Sequence, residues 1–360
     1  RRVICNDVQG FAALVARCLI ATPDSPPPVS LLREVLTPPY SYNRRLLVDR
    51  FRAHLAEEDR IIADVDATRY RDTYRRWRHV GNDPDLRDEL ATAHETTPYR
   101  LATLNFAWGY FGLRQAIAID SIRYAIDRAR EDQRLSASDA DWALVALLQA
   151  ASCASASPGH FAQYLKPDSD RGFTRIAQQR KRNIWTQFVF ELNNLKPYGN
   201  RAWRSSNDVV QADALSMWGL LDSLSVERAI VYADPPYSKD HYSRYYHVLE
   251  TLALYDYPTA KGTGRYRPDR FITPFSLKTR VRDAMEEFCA AIRDRGFTLI
   301  LSYPSNGLLN AECGIDLTAF LRDQFTQVEL RMDRPTSHST LGARHGNARN
   351  AVNELLWVAK

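Results

Sequence analysis

Cysteine is scarce in this chain: Cys5, Cys18, Cys153, Cys289 and Cys313 are scattered and form no CxxC pair. That spacing argues against both a structural zinc site and a disulfide framework and leaves packing as their expected role. No metal is called for by any other pattern. Long apolar runs are missing as well. None approaches the roughly 18 residues of a membrane span, and the first residues carry no signal-peptide pattern, so a cytoplasmic protein is expected. Charge of one sign is not in large excess, with 48 basic against 43 acidic residues and a net +5, so the balance alone does not mark a nucleic-acid protein. Composition is otherwise that of a globular chain, 45% hydrophobic and 25% charged. Its 360 residues suffice for two cores or for one core with a large insertion.

The strongest local pattern is Ala229-Ile-Val-Tyr-Ala-Asp-Pro-Pro-Tyr237. The apolar run reads as an interior strand of a parallel sheet, covered on both faces. Pro235 and Pro236 stop it, because neither donates to a sheet ladder and each biases the preceding residue to extended geometry. Asp234 is thereby held at the carboxyl end of the strand, where open α/β sheets bind ligands.

The chain opens on Val3-Ile4-Cys5 running into Asn6-Asp7, followed by apolar residues at helical spacing from Phe11 to Leu19. This is half of a βαβ unit lacking a preceding strand. Asp7 has the position of a carboxylate that accepts ribose hydroxyls in nucleotide-type sites, or else it caps the helix. Residues 23 to 39 are rich in proline, among them Pro38 and Pro39, and read as a boundary. From there to about residue 150 the pattern is helical. Arg44 to Arg78 reads as a solvated face of mixed charge, Asp120 and Arg123 as an intrahelical pair, and Ser138 as the cap of a helix from Leu135 to Ala151.

Positive charge is concentrated in one stretch. From Lys166 to Arg204 there are nine basic residues (Lys166, Arg171, Arg175, Arg180, Lys181, Arg182, Lys196, Arg201, Arg204) against Asp168, Asp170 and Glu191. Phe173, Trp185, Phe188, Phe190, Tyr198 and Trp203 are interleaved with them. Cations for phosphates and aromatic faces for bases suit DNA or RNA. The alternative is a small subdomain with an apolar inside and a wet outside. Arg175, Gln178, Gln179, Lys181 and Arg182 have the chemistry to read base edges or phosphates.

Regular α/β pattern resumes with a short strand, Val209 to Ala212, ending at Asp213 and expected beside the strand Ile230 to Ala233. Tyr242, Tyr245, Tyr246, Leu249 and Leu252 fall on one helical stripe. A loop from Pro258 to Pro274 carries Lys261, Gly262, Gly264, Arg265, Arg267 and Arg270, with flexibility from its glycines and cations able to grip a backbone. Helices from Leu277 to Asp294 and Leu317 to Phe325, a strand from Thr298 to Tyr303, and paired strands Val328 to Met332 and Glu354 to Val358 complete the pattern. Between the last two lies a polar loop with Ser337, His338, Arg344, His345 and Arg349.

Asp234-Pro235-Pro236-Tyr237 after an apolar strand resembles the catalytic motif of amino methyltransferases that use S-adenosylmethionine, in the form typical of DNA adenine-N6 enzymes. An exocyclic amine on a purine is a poor nucleophile because its lone pair is delocalised. Two pure acceptors, the Asp234 carboxylate and the Pro235 carbonyl, would hold its N–H groups so that the lone pair points at the methyl donor. Tyr237 would stack on the target base once it has been flipped out of the duplex. The resemblance extends to Asn6-Asp7 as the ribose position, to Asp213 near the cofactor adenine, and to Tyr110-Phe111 with Ala116, Asp120 and Arg123. Leu299 to Tyr303 and Asn353 to Trp357 resemble the later strands of Dam-like enzymes.

The resemblance implies a Rossmann-like α/β methyltransferase fold over residues 1–22 and 206–360, with a mainly helical, target-recognising insertion over 23–205. It implies S-adenosylmethionine as cofactor, no metal, and double-stranded DNA as partner, with partner subunits of a modification or defence system also expected. Arg175, Lys181, Arg182, Arg265, Arg267 and Arg344 are the candidate DNA contacts. One departure stands out: the family's Phe-x-Gly-x-Gly loop, which should precede Val3, has no counterpart, since Gly109 to Gly112 and Gly262 to Gly264 do not follow strands. The expectation is that an upstream segment missing from this sequence, disordered or removed, supplies it; supply by another polypeptide and decayed cofactor binding are the alternatives. Cytosine N4, RNA, or a non-catalytic DNA-binding subunit of such a system remain the alternatives.

Overall fold

The computed structural model describes residues 1–77, 89, 96–339 and 349–360. The fold is mixed α/β and divides into two compact units. One comprises Arg1–Cys5, Gln9–Val209 and Tyr246–Arg270; the other comprises Asn6–Val8, Val210–Tyr245 and Phe271–Lys360. The helical unit therefore takes in the first helix, Gly10–Ala16, and the segment after Tyr245, where the sequence suggested 23–205. No helix of the described residues is long and apolar enough to cross a membrane.

At the centre of the first unit lies the helix Leu113–Glu131, buried on nearly every side by residues such as Ile117, Ile119, Ile122 and Ile126. Packed against it is Val29–Arg50, a helix that passes straight through Pro38 and Pro39 where a boundary was expected. Each proline removes one ladder donor. The apolar face of Leu32, Val35, Leu36 and Leu47 is buried all the same, and tertiary packing decides the outcome. Glu58, from the helix Arg52–Asp64, caps the central helix: its carboxylate accepts from Leu113 N at 2.8 Å and Arg114 N at 3.0 Å.

Two side chains in this unit have other roles than expected. Asp120 does not pair with Arg123. It accepts from Ala102 N and Thr103 N at the start of the helix Leu101–Asn105. Arg123 instead bonds Asp127, one turn on, and donates to the carbonyls of Leu252 and Ala253 in the last turn of the helix His247–Leu254. The helix Ala137–Ala154 is capped by Ser136 through a capping box with Asp139, two residues earlier than Ser138. The mixed-charge stretch from Arg44 is a solvated face as read, with pairs such as Arg52–Asp49, Arg75–Asp72 and Arg76–Glu57.

In the second unit a four-stranded sheet has the order β3-β4-β6-β5, from β3 (Ile230–Ala233), β4 (Thr298–Pro304), β5 (Val328–Ser339) and β6 (Arg349–Ala359). β3 and β4 are parallel, with Ile230 opposite Thr298 and Ala233 opposite Leu301. β6 runs antiparallel to both β4 and β5. The helices Val281–Asp294 and Leu317–Gln324 pack on this sheet, and Trp357 Nε1 donates to Thr318 Oγ1 at 3.0 Å.

A separate pair joins β1 (Ile4–Asn6) and β2 (Asp208–Val210). β3 is thus an edge strand among the described residues, and its partner is β4, not β2. Ile230 is 66% and Tyr232 65% exposed. The run shows no polar alternation because both of its faces carry apolar side chains, so burial on one side only was hidden in the sequence.

Candidate active site

Three carboxylates of the second unit lie at or just beyond strand ends. Asp7 follows β1 directly and its N–H donates to Val210 O at 3.3 Å. Asp213 comes three residues after β2, which ends at Val210 rather than running to Ala212. There it heads a helical turn: Oδ1 accepts from Leu215 N at 2.9 Å, and its carbonyl accepts from Ser216 N and Met217 N at 3.0 Å. Asp234 follows β3 and is exposed, and Pro235 to Tyr237 are partly buried. Asn6, the last residue of β1, has a buried Oδ1 without a hydrogen-bond donor among the described residues.

The loop after β3 is braced by a segment that sequence reasoning missed. Leu308 N donates to Tyr237 O at 2.8 Å. That amide lies at the start of a wide helical turn, Leu308–Glu312, which is itself held by the buried Tyr303 at the end of β4, whose hydroxyl accepts from Leu309 N at 3.2 Å. Gly307 lies so close to the Tyr303 ring that a Cβ there would come within 2.2 Å of Cε1. Only glycine permits that approach. Beyond it, Ser305 N donates to Asn353 O at 2.8 Å, and Asn353 N donates to Ser305 Oγ at 3.0 Å. The available signal was Pro304-Ser305-Asn306-Gly307, a turn composition directly after a strand.

The cationic residues separate by environment. Arg175, at the middle of the helix Asp170–Arg180, and Lys181, just beyond its end, are exposed. Arg182 is exposed but donates to Cys153 O at 2.9 Å. Arg265 stands partly buried in a turn where Lys261 N donates to Tyr266 O and Tyr266 N donates to Lys261 O. The Tyr266 hydroxyl in turn donates to Ala162 O, which ties down a loop expected to be free. Arg267 is only 5% exposed and bonds Asp256 through two nitrogens and Asp269 through one, an internal clamp rather than a surface contact. Arg344 lies outside the described residues.

Arg180 also belongs to the interior, donating to the carbonyls of Tyr110 at 2.9 Å and Gly109 at 2.8 Å. Burial pushes the carboxyl of Glu58 up, while the bonds from the amides of Arg114 and Leu113 and the Arg180 charge pull it back. Cys18 and Cys289 are completely buried, which pushes both thiols up to about 12 and leaves them inert as nucleophiles.

The "Type II methyltransferase M.FokI" of Planomicrobium okeanokoites is 26% identical over 230 residues, covering 63% of this chain and 31% of that protein. "Modification methylase LlaI" of Lactococcus lactis subsp. lactis is 25% identical over 256 residues, 70% of this chain and 37% of that protein. The "Type II methyltransferase M.NlaIII" of Neisseria lactamica is 39% identical over 106 residues, 29% of each chain. The chain spans about a third of the length of the curated relatives it matches. No solved structure matches it. A family model described as "D12 class N6 adenine-specific DNA methyltransferase" matches residues 113–298, a span that includes Asp213 and Asp234 to Tyr237. That span is more than half of the sequence, and the chain belongs to the D12 class N6 adenine-specific DNA methyltransferase family.

Proposed function

We propose that this chain methylates the N6 amine of adenine in DNA, using S-adenosylmethionine, with the second unit as a Rossmann-like catalytic half. The observation that carries this reading is Asp234: an exposed carboxylate at the end of β3, followed by two prolines and by a tyrosine whose carbonyl is tied to Leu308 N. Asp234 and the Pro235 carbonyl accept the two N–H groups of the amine, so the nitrogen lone pair is withdrawn from the ring and becomes nucleophilic. As the amine nitrogen takes the methyl group and the donor's sulfur–methyl bond breaks to leave a neutral thioether, the proton of the N–H held on Asp234 leaves along that hydrogen bond to water. Tyr237 stacks against the base, which has been flipped from the duplex at a cost of about a few kcal/mol.

The cofactor supplies a methyl group on a sulfonium centre. The residues present fit its adenosine end: the buried, donor-less Asn6 Oδ1 and the adjacent Asp7 are acceptors suited to ribose hydroxyls, and Asp213 stands on a rigid turn suited to the adenine side.

The test uses the purified full-length protein that contains this sequence, duplex DNA and radiolabelled S-adenosylmethionine, with nucleosides separated after digestion. The expected product is N6-methyladenine. Asp234→Ala removes it while cofactor affinity, measured by calorimetry, stays within about threefold, since the carboxylate holds the amine and not the cofactor. Residual transfer at saturating cofactor, combined with a large loss of affinity, would reassign Asp234; N4-methylcytosine as the product would overturn the substrate.

A further inference from the structure

Several cations of the helical unit are held in ion pairs. Arg50 bonds Glu89, Arg114 bonds Asp59, Arg123 bonds Asp127, and Arg128 bonds both Glu131 and Asp132. One helix combines cations outside such pairs with an otherwise uncharged outward face. On Asp170–Arg180 the inward face is Phe173, Ile176, Ala177 and Arg180, all buried. The outward residues are Arg171, Thr174, Arg175 and Gln178, continued by Lys181 just beyond the helix, all exposed. Among the described residues, Arg171, Arg175 and Lys181 enter no ion pair. A solvated face mixes signs and pairs them; this face carries one sign only, with amide and hydroxyl groups set between the charges.

The one carboxylate of the helix, Asp170 in its first turn, is paired. Asp170 is bonded by Arg71 Nη2, and Arg71 Nε donates to Pro167 O at 2.7 Å. The helix is also held at both ends, so its face is preorganised. At the start Ser169 Oγ accepts from Gly172 N at 3.1 Å. At the far end Gln115 Nε2 donates to the carbonyls of Gln179 and Arg182 at 2.8 and 3.1 Å, and Arg180 is anchored on the carbonyls of Gly109 and Tyr110. Midway, the Phe173 ring packs 5.1 Å from Tyr70.

Resting on the reading above that the substrate is DNA, we propose that the helix Asp170–Arg180 enters the major groove, with Arg175 and Gln178 reading base edges and Arg171 and Lys181 gripping phosphates. At 1.5 Å per residue the outward stripe from Arg171 to Lys181 is about 15 Å long, a length that the major groove of B-form DNA, about 12 Å wide, admits. Arginine matches O6 and N7 of guanine, and the glutamine amide matches N6 and N7 of adenine. Nothing on this face is buried by folding, so substitutions on it leave the core untouched.

Binding of the full 360-residue chain to a duplex library with a randomised centre tests this, with sequencing of the bound fraction and salt titrations. Wild type enriches a defined sequence. Arg175→Ala and Gln178→Ala each lose preference at one or two positions of it, by about 5- to 150-fold. Arg171→Ala and Lys181→Ala weaken all sequences alike and each lower the slope of log affinity against log salt by about one. Asp234→Ala keeps the wild-type preference.

Unchanged preference in both Arg175→Ala and Gln178→Ala overturns the helix assignment and leaves the proposed activity standing. Intact preference in a wild type that methylates nothing does the reverse: it supports the helix and sinks the activity. Equal binding of duplex RNA, whose deep and narrow major groove excludes a helix, also overturns the assignment.

Discussion

Tyr255 donates its hydroxyl to Asp120 Oδ1 at 2.5 Å across 135 residues of chain. The same carboxylate accepts from Ala102 N at 2.7 Å, Thr103 N at 2.8 Å and Thr103 Oγ1 at 2.6 Å, so one buried acid joins three separate segments. Burial raises this carboxyl, the bonds from Thr103, Tyr255 and the two amides lower it, and the balance leaves it at about 6. An acid raised in the folded chain binds its proton more tightly there than in the unfolded chain. Its contribution to stability is therefore complete below about pH 4 and is lost as the pH rises through 6.

The amplitude is about 3 kcal/mol, from a carboxyl moved from near 4 to near 6. Urea unfolding of wild type and Asp120→Asn between pH 4 and pH 7 should diverge by that amount, because the amide does not titrate. Tyr255→Phe removes a donor that favours the ionised form, shifts the loss to higher pH and costs about 1 to 3 kcal/mol at neutral pH. Parallel curves for wild type and Asp120→Asn would remove Asp120 from the account.

A second prediction concerns the anchor beneath the cationic helix. A Cβ at Gly112 would lie 2.7 Å from Arg180 Cδ and 2.7 Å from Glu58 Oε1. Gly112→Ala should therefore force these side chains apart at about 1 to 3 kcal/mol. Glu58→Ala should cost about 3 to 5 kcal/mol, because it leaves Arg180 buried without its countercharge and the amides of Leu113 and Arg114 without an acceptor. Denaturant midpoints read both, and a neutral Glu58→Ala would show that water replaces the carboxylate at no cost.

What the sequence disclosed and what it hid follow from the range of the interactions. The Asp-Pro-Pro-Tyr stop, the strand Thr298–Pro304 and the helix Leu317–Gln324 were legible because hydrophobic period and proline chemistry are local. The true partners of Asp120 and Arg123 were not. Helical spacing offered a pair at i, i+3, whereas in the folded chain Arg123 bonds Asp127 one turn on and the carbonyls of Leu252 and Ala253, and Asp120 bonds Ala102, Thr103 and Tyr255, partners that lie 17 to 135 residues away. The edge position of β3 was likewise invisible, since strand order is a property of the whole sheet. Arg267 shows the same limit: a cation in a glycine-containing loop looks free until Asp256 and Asp269 are seen to hold it.

The two halves of the proposed pocket should separate by mutation. Asn6→Ala removes the buried acceptor at the end of β1, and Asp7→Ala removes its neighbour. Each should weaken S-adenosylmethionine binding by about 10- to 100-fold, the worth of one or two hydrogen bonds in a partly buried site. Turnover at saturating cofactor should fall much less. Calorimetry and initial rates across cofactor concentration distinguish this from the Asp234→Ala pattern of intact affinity without turnover. Unchanged affinity in both variants would move the ribose position away from β1.

The tyrosine after the prolines should reveal its role through its ring and not its hydroxyl. Stacking needs only an aromatic face, so Tyr237→Phe should keep kcat/KM on duplex DNA within a few-fold of wild type, about 1 kcal/mol or less. Tyr237→Ala should lower it by about 10- to 100-fold, the worth of one base–aromatic stack. The backbone of this residue is fixed by Leu308 N, and the exchange removes only the side chain, so folding is expected to survive. A substrate with the target base opposite a mismatch costs less to unstack and should recover part of the loss in Tyr237→Ala, because the missing stack then has a smaller penalty to offset. Equal losses in Tyr237→Phe and Tyr237→Ala would instead assign the function to the hydroxyl.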